Sequence, residues 1–116
     1  MKITGYRFGS ISIDGRDFNK DLKIIKGTIF PEWWRKQGHL LQLDDIADVM
    51  AAKPHTLIVG TGASGLMKIA PGLKEALAEE GIRLETLPSE LAVQRFNELV
   101  DMEGLDRVAL AIHLTC

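Results

Sequence analysis

The sequence predicts an α/β fold: an antiparallel β unit, then a sheet whose strands are joined by crossover helices. Three observations carry this. Residues 56–60 are apolar without polar alternation, as in a strand buried on both faces. From there the pattern alternates strand, helix, strand, helix, strand. Before it, the first forty residues carry period-two alternation and a hairpin turn signal instead of helical spacing. With 116 residues, 46% of them hydrophobic and 26% charged, the chain is expected to form one α/β domain over 1–116.

In order along the chain, residues 10–14 (SISID) alternate polar and apolar, and Asp14-Gly15 is a hairpin turn signal. Residues 17–21 read as a polar turn. Residues 22–30 read as a second strand region, interrupted at Gly27 by a bulge and stopped at Pro31. Residues 32–41 (EWWRKQGHLL) are a loop rich in chemistry. Asp44 or Asp45 caps a short helix running to Lys53, with Ile46, Val49 and Met50 on one face. After the strand at 56–60 and a loop, Pro71 opens a helix to Glu80, capped by Gly81. A strand at 82–86 follows. Ser89 is the expected N-cap of a helix to about Met102, with Ala92, Phe96, Leu99 and Val100 inward and Gly104 beyond its end. Residues 108–112 are a last apolar strand.

Several function classes drop out on composition. A net charge of −2 offers no basic excess for nucleic acid or an anionic membrane. No stretch approaches the ~20 apolar residues of a membrane span, and the N-terminus lacks the apolar core of a signal peptide. The lone cysteine, Cys116, builds no disulfide framework. The cytoplasm is the expected location.

Gly60, Gly62 and Gly65 have the GxGxxG spacing, and Glu85 lies where a ribose-binding acid belongs. However, five residues, Leu66 to Ala70, separate Gly65 from Pro71, where the fingerprint needs the helix at once. A turn needing glycine for positive φ and close backbone approach is the better reading, with free N–H groups for a small anion. No cofactor is expected. No Gly-Lys-Ser/Thr follows, and Ser64 sits in GASG, not in the GxSxG elbow of a nucleophile. His39, His55 and His113 have no ligand spacing, so no metal site is expected. Trp33, Trp34, Arg35 and His39 form the second constellation. Aromatics beside a guanidinium suit a flat anion or a protein partner. Against that stands a core tryptophan with Arg35 and His39 bonded to loop carbonyls.

Read as one string, the second half resembles a known family. It has GTG after a buried strand, a helix, then GIRLETLPSELAVQRFNELV, then an apolar strand ending HLTC. In the first half, Pro31, Trp34, Arg35, Gly38 and His39 resemble the same family's motif. Leu114, Thr115 and Cys116 resemble in part the Ser/Thr-Thr-Cys ending of its animal members. The family is the small α/β group that includes the mitochondrial complex I assembly factor 3 proteins and the adipogenesis-associated proteins of animals, with bacterial and archaeal members. The resemblance implies three layers, with the N-terminal β unit packed on a mixed α/β sheet. It implies an interaction or assembly role without an established enzyme activity. It also marks Trp34 as the tryptophan with a fixed role beside Arg35 and His39.

The expected function is thus a non-enzymatic binding or assembly-type domain acting through a protein partner. The alternative is an anion-binding domain or enzyme using a cleft at the carboxyl end of the central strand. The candidate cleft residues are Trp33, Trp34, Arg35, His39, Gly60, Thr61, Gly62 and Ser64.

Overall fold

The computed structural model describes residues 1–116 and contains ten strands and three α-helices. Strands β1 (Ile3–Arg7), β2 (Ser10–Ile13) and β3 (Arg16–Phe18) form an antiparallel meander, with Asp14 and Gly15 both at positive φ in the predicted hairpin turn. Strand β1 was not visible as a pattern, because its residues ITGYR alternate only weakly. Strand β3 occupies part of the stretch expected to be a turn. Its polar residues Arg16 and Asp17 are tolerated because they lie on a solvated sheet edge.

Strands β4 (Leu22–Ile25) and β5 (Thr28–Phe30) form a second hairpin. Gly27 is therefore a hairpin turn residue, not a bulge: Lys26 and Gly27 have φ of 49° and 75°, as a two-residue primed turn requires. After β6 (Leu40–Leu41), a 3-10 turn over Leu43–Ile46 leads into α1 (Ala47–Ala52). Asp45 sits inside that turn, not at its cap, and its carboxylate accepts from the Gln42 N–H at 2.8 Å.

Strand β7 (Thr56–Thr61) is buried at every position. The loop expected before the next helix holds a strand, β8 (Lys68–Ile69), which pairs in parallel with β6. Helix α2 (Leu73–Glu79) starts two residues after Pro71, because Gly72 takes a φ of 84° and breaks the helical path between them. Strand β9 (Arg83–Leu87), helix α3 (Ser89–Glu103) and strand β10 (Val108–His113) complete the chain.

The main sheet runs β5-β4-β10-β7-β9. Strands β10, β7 and β9 are parallel, and β4 joins them antiparallel, so the sheet is mixed. The connection β7–α2–β9 steps outward, and β9–α3–β10 steps back across β7. Right-handed crossovers in opposite directions need helices on opposite faces. That is what the two cores record. Ile58, Val108, Leu110 and Ile112 face α3 and the N-terminal meander, with Phe96, Leu99, Ile11 and Ile13. Leu57, Val59, Ala109 and Ala111 face α1 and α2, with Val49, Leu73 and Leu77. Strict alternation along β7 and β10 serves both layers, which explains why neither strand shows a polar face. No helix is long and apolar enough to cross a membrane.

Candidate functional site

The glycine turn after β7 is closely packed. Gly62 has φ +106°, and a Cβ there would meet the Cys116 and Thr115 backbone at 2.6–2.8 Å. A Cβ on Gly60 would lie 2.7 Å from Ile112 and 2.9 Å from the Ser89 hydroxyl. Ser89 is the first residue of α3 and not its cap. Its fully buried hydroxyl accepts from Gly62 N–H and donates to the His113 carbonyl, tying β7 to β10.

The amides expected to be free for an anion are spent. Ala63 N–H donates to the Thr115 carbonyl at 2.7 Å, Gly65 N–H to Gly62, Leu66 N–H to Cys116 and Met67 N–H to Thr61. Glu85 is likewise engaged, by Arg95 at 2.8 Å. The hydrogen bonds from Arg95 outweigh partial burial and hold the Glu85 carboxyl below its ordinary value.

A different cleft lies beside this turn. About 320 Å³ of open space is enclosed by Asn19, Lys20 and Asp21 before β4, Trp33 to Arg35 and Gly38 of the loop, and the chain after β10. Three charged or polar side chains from distant parts of the sequence meet at its wall. The Asp21 carboxylate accepts from Arg35 Nη2 at 2.8 Å, from His113 Nδ1 at 2.8 Å and from the Leu114 N–H at 2.7 Å. Burial opposes ionisation of Asp21, but the hydrogen bonds from His113, Leu114 and Arg35 prevail and hold its carboxyl below the ordinary range. An ionised carboxylate only accepts, so His113 Nδ1 is the donor to Asp21, with Arg35 Nη2 3.1 Å from the same ring nitrogen.

Arg35 also donates from Nε and Nη2 to the Gly38 carbonyl at 3.1 and 2.9 Å, closing the loop on itself. Its side chain is 4% exposed and that of His113 is 8% exposed. Two buried nitrogens in this group have no partner: Arg35 Nη1 and His113 Nε2. The third such atom in the structure, Gln42 Oε1, does not line the cleft. A shallower depression of about 630 Å³ over Arg7–Ser10 and Asp17–Asn19 contains none.

The tryptophans divide the work, but with their places exchanged relative to the expectation from the family motif. Trp33 is the buried one. Its indole N–H donates to the Asp45 carbonyl at 2.9 Å, its backbone N–H to the Asp21 carbonyl, and Arg35 lies 4.7 Å above its ring. Trp34 is 74% exposed at the rim of the cleft. Adjacent side chains in an extended loop point to opposite sides, and Trp33 takes the inward one.

The structure thus brings together Trp33, Trp34 and Arg35. His39 is exposed and flanks the wall, its ring edge-on to His113 at 5.7 Å. Gly60, Thr61 and Gly62 lie behind that wall in the packed turn, and Ser64 is exposed on the loop; none of these four lines the cleft. Arg35 bonds Asp21 and Gly38, not the Thr61-Gly62 turn, and its buried ion pair makes it part of the framework.

Sequence reasoning missed Asp21, which reads as an ordinary turn residue, and left the role of His113 open, with only a pairing to the thiol of Cys116 weighed for it and set aside. The only hint was a histidine ending an otherwise apolar strand. Tyr6 was missed too: its hydroxyl donates to the Leu114 carbonyl at 2.9 Å, and Gly9 N–H donates to the same oxygen. Burial raises the Tyr6 pKa above its ordinary value. Leu114, held by Asp21 at one end and the N-terminal meander at the other, fixes the floor of the cleft. Nowhere do three side chains of metal-ligating type converge.

Comparison with known proteins places this geometry in context. A family model described as "Protein of unknown function (DUF498/DUF598)" matches residues 3–113. Among solved structures, MT938 is 24% identical over 99% of this chain and 98% of its own, with a TM-score of 0.78. The conserved hypothetical protein PH1505 from Pyrococcus horikoshii OT3 is 26% identical over 100% of both chains, with a TM-score of 0.77. An outer membrane protein from Bartonella henselae is 23% identical over 96% of this chain and 94% of its own, also with a TM-score of 0.77. These likenesses support the same three-layer fold.

Proposed function

The chain belongs to the protein family of unknown function DUF498/DUF598, and from that footing we propose that it is a non-enzymatic, assembly-type binding domain that acts through a protein partner. The observation that carries this reading is Trp34: a tryptophan 74% exposed at the mouth of a recessed polar cleft. Large aromatics dominate binding energy where they are desolvated by a partner, and an indole left in water gives its own fold little. Trp33 and Arg35 hold the loop rigid beneath it, so little ordering entropy is lost on docking. The partner's chain enters between Trp34 and the segment Leu114–Thr115. The free, exposed cysteine suits a reducing compartment, and the cytoplasm is the proposed place of action.

The small-ligand or enzyme reading has one observation in its favour. Asp21 orients His113 as it would orient a general base. No nucleophile or second acid joins the pair, so the binding role takes precedence.

A photo-crosslinking residue at position 34, compared with one at exposed Met102, tests the proposal in cells producing the protein. A discrete protein adduct is expected from position 34 alone. Equal adducts from both positions, or none from position 34, would refute it.

A further inference from the structure

We propose that Asp45 is a positioning residue for the cleft, the group that holds Trp34 in the geometry its partner meets; this rests on the reading of Trp34 as the binding rim. Trp34 is 74% exposed, yet the residues on either side of it are tied down. Four hydrogen bonds from residues 33–36 end on two residues, Asp21 and Asp45. The Trp33 N–H donates to the Asp21 carbonyl at 2.8 Å, and Arg35 Nη2 donates to the Asp21 carboxylate at 2.8 Å. The Trp33 indole N–H donates to the Asp45 carbonyl at 2.9 Å, and the Lys36 N–H donates to the Asp45 carboxylate at 3.2 Å. Trp34 sits between these tethers and takes part in none of them. The other Asp45 carboxylate oxygen accepts from the Gln42 N–H at 2.8 Å, which fixes the carboxylate itself. Charge-assisted bonds of this kind are stronger than bonds to a neutral carbonyl.

The backbone conformation argues the same way. Glu32, just before the tryptophans, is an exposed non-glycine residue with a φ of 57°. Strain of this kind persists where surrounding contacts over-determine the backbone, and the four tethers are such contacts. The Asp45 carboxylate can be removed without removing the core beneath the loop. Its main-chain carbonyl stays, so the Trp33 indole keeps its acceptor. The 3-10 turn that carries Asp45 stays seated, because Ile46 is fully buried and Lys23 holds Asp48 at 2.7 Å. What goes is the acceptor for the Lys36 N–H, the tether on the C-terminal side of Trp34, together with the Gln42 bond. The Lys36 ammonium reaches Asp44 only through an ion pair with both side chains exposed, too weak to order a backbone. A rim already held still loses little conformational entropy when a partner covers it. A loose rim loses more and binds more weakly through the same contacts.

Relaxation NMR on the intact protein tests this, with Asp45→Ala compared against wild type and against Asp44→Ala. In wild type the Trp34 and Lys36 amides should show the order of a rigid backbone, with order parameters of about 0.85, and in Asp45→Ala these should fall below about 0.6. The Trp33 indole and Val49 amide signals should keep their wild-type positions, which separates a loosened rim from an unfolded turn. Asp44→Ala, which breaks only the exposed ion pair, should leave every value as in wild type. Asp45→Asn keeps one side-chain oxygen as acceptor and should recover part of the order. Combined with the photo-crosslinking residue at position 34, Asp45→Ala should lower the adduct yield by about threefold or more, the consequence of the extra ordering on binding. Unchanged order at Trp34 in Asp45→Ala, equal loosening by Asp44→Ala, or a loosened rim with an undiminished adduct would overturn the proposal. Loosening that spreads to Trp33 and Val49 would overturn it as well, because Asp45 would then support the fold and not the rim. The relaxation measurement needs no partner. If position 34 gives no adduct in the wild-type background, the partner reading falls, while the order parameters still decide what Asp45 holds.

Discussion

Truncating the two adjacent tryptophans separately measures how the loop is built. Trp33 is 7% exposed and Trp34 is 74% exposed. A tryptophan side chain carries roughly 200 Å² of surface, so Trp33 keeps about 190 Å² from water and Trp34 about 50 Å². At ~25 cal/mol per Å² this is about 4–5 kcal/mol against about 1 kcal/mol. The first figure agrees with the ~3–5 kcal/mol cost typical of Trp→Ala in a core. Trp33→Ala also loses the hydrogen bond to the Asp45 carbonyl, but Lys23 Nζ lies 3.5 Å from that oxygen and softens the loss. The expectation is a loss of about 4 kcal/mol for Trp33→Ala and at most about 1 kcal/mol for Trp34→Ala. Urea unfolding followed by far-UV circular dichroism reads both without depending on the fluorophore removed. Equal losses in the two variants, or the larger loss at position 34, would refute the division of labour between rim and core.

Two further outcomes follow from the same contacts. Gly62→Ala forces a side chain into positive φ and against the Thr115–Cys116 backbone, so thermal unfolding should show a loss of about 3 kcal/mol, and an unchanged melting temperature would contradict the packing. Asp21→Asn leaves the buried Arg35 without its counter-charge and should cost about 3 kcal/mol or more at neutral pH. Because the folded carboxyl titrates below its ordinary value of 3.8, its contribution is fully present above that value and is lost as pH falls through the lower folded one. The stability gap between wild type and Asp21→Asn should therefore shrink below about pH 4 when followed by denaturant midpoints. A gap that stays constant down to pH 3 would show that the carboxylate charge is not what Asp21 contributes.

The amino-acid sequence by itself determined whatever depends on neighbours a few residues apart. The unbroken apolar runs of β7 and β10 and the stripe Ala92, Phe96, Leu99 on α3 specified elements and class, because burial on one or two faces writes its period directly into the chain. The Asp14-Gly15 turn and the positive φ of Gly62 were readable for the same reason. Where a local signal was weak or shared by two structures, the reading slipped. Lys26-Gly27 serves a turn as well as a bulge, and β8 is two residues long and exists only because β6 lies alongside it. The cleft was decided by tertiary structure alone. Asp21 and His113 stand 92 positions apart, and Arg35 and His113 stand 78 apart. Nothing near Asp21 in sequence distinguishes it from a solvated turn residue. Its role arises when the parallel pairing of β10 with β7 and the antiparallel pairing with β4 carry residue 113 to the end of the sheet where the loop from β5 returns. Hydrogen bonds between side chains are short-ranged and directional, so which donors remain unpaired is fixed only after every strand has found its register.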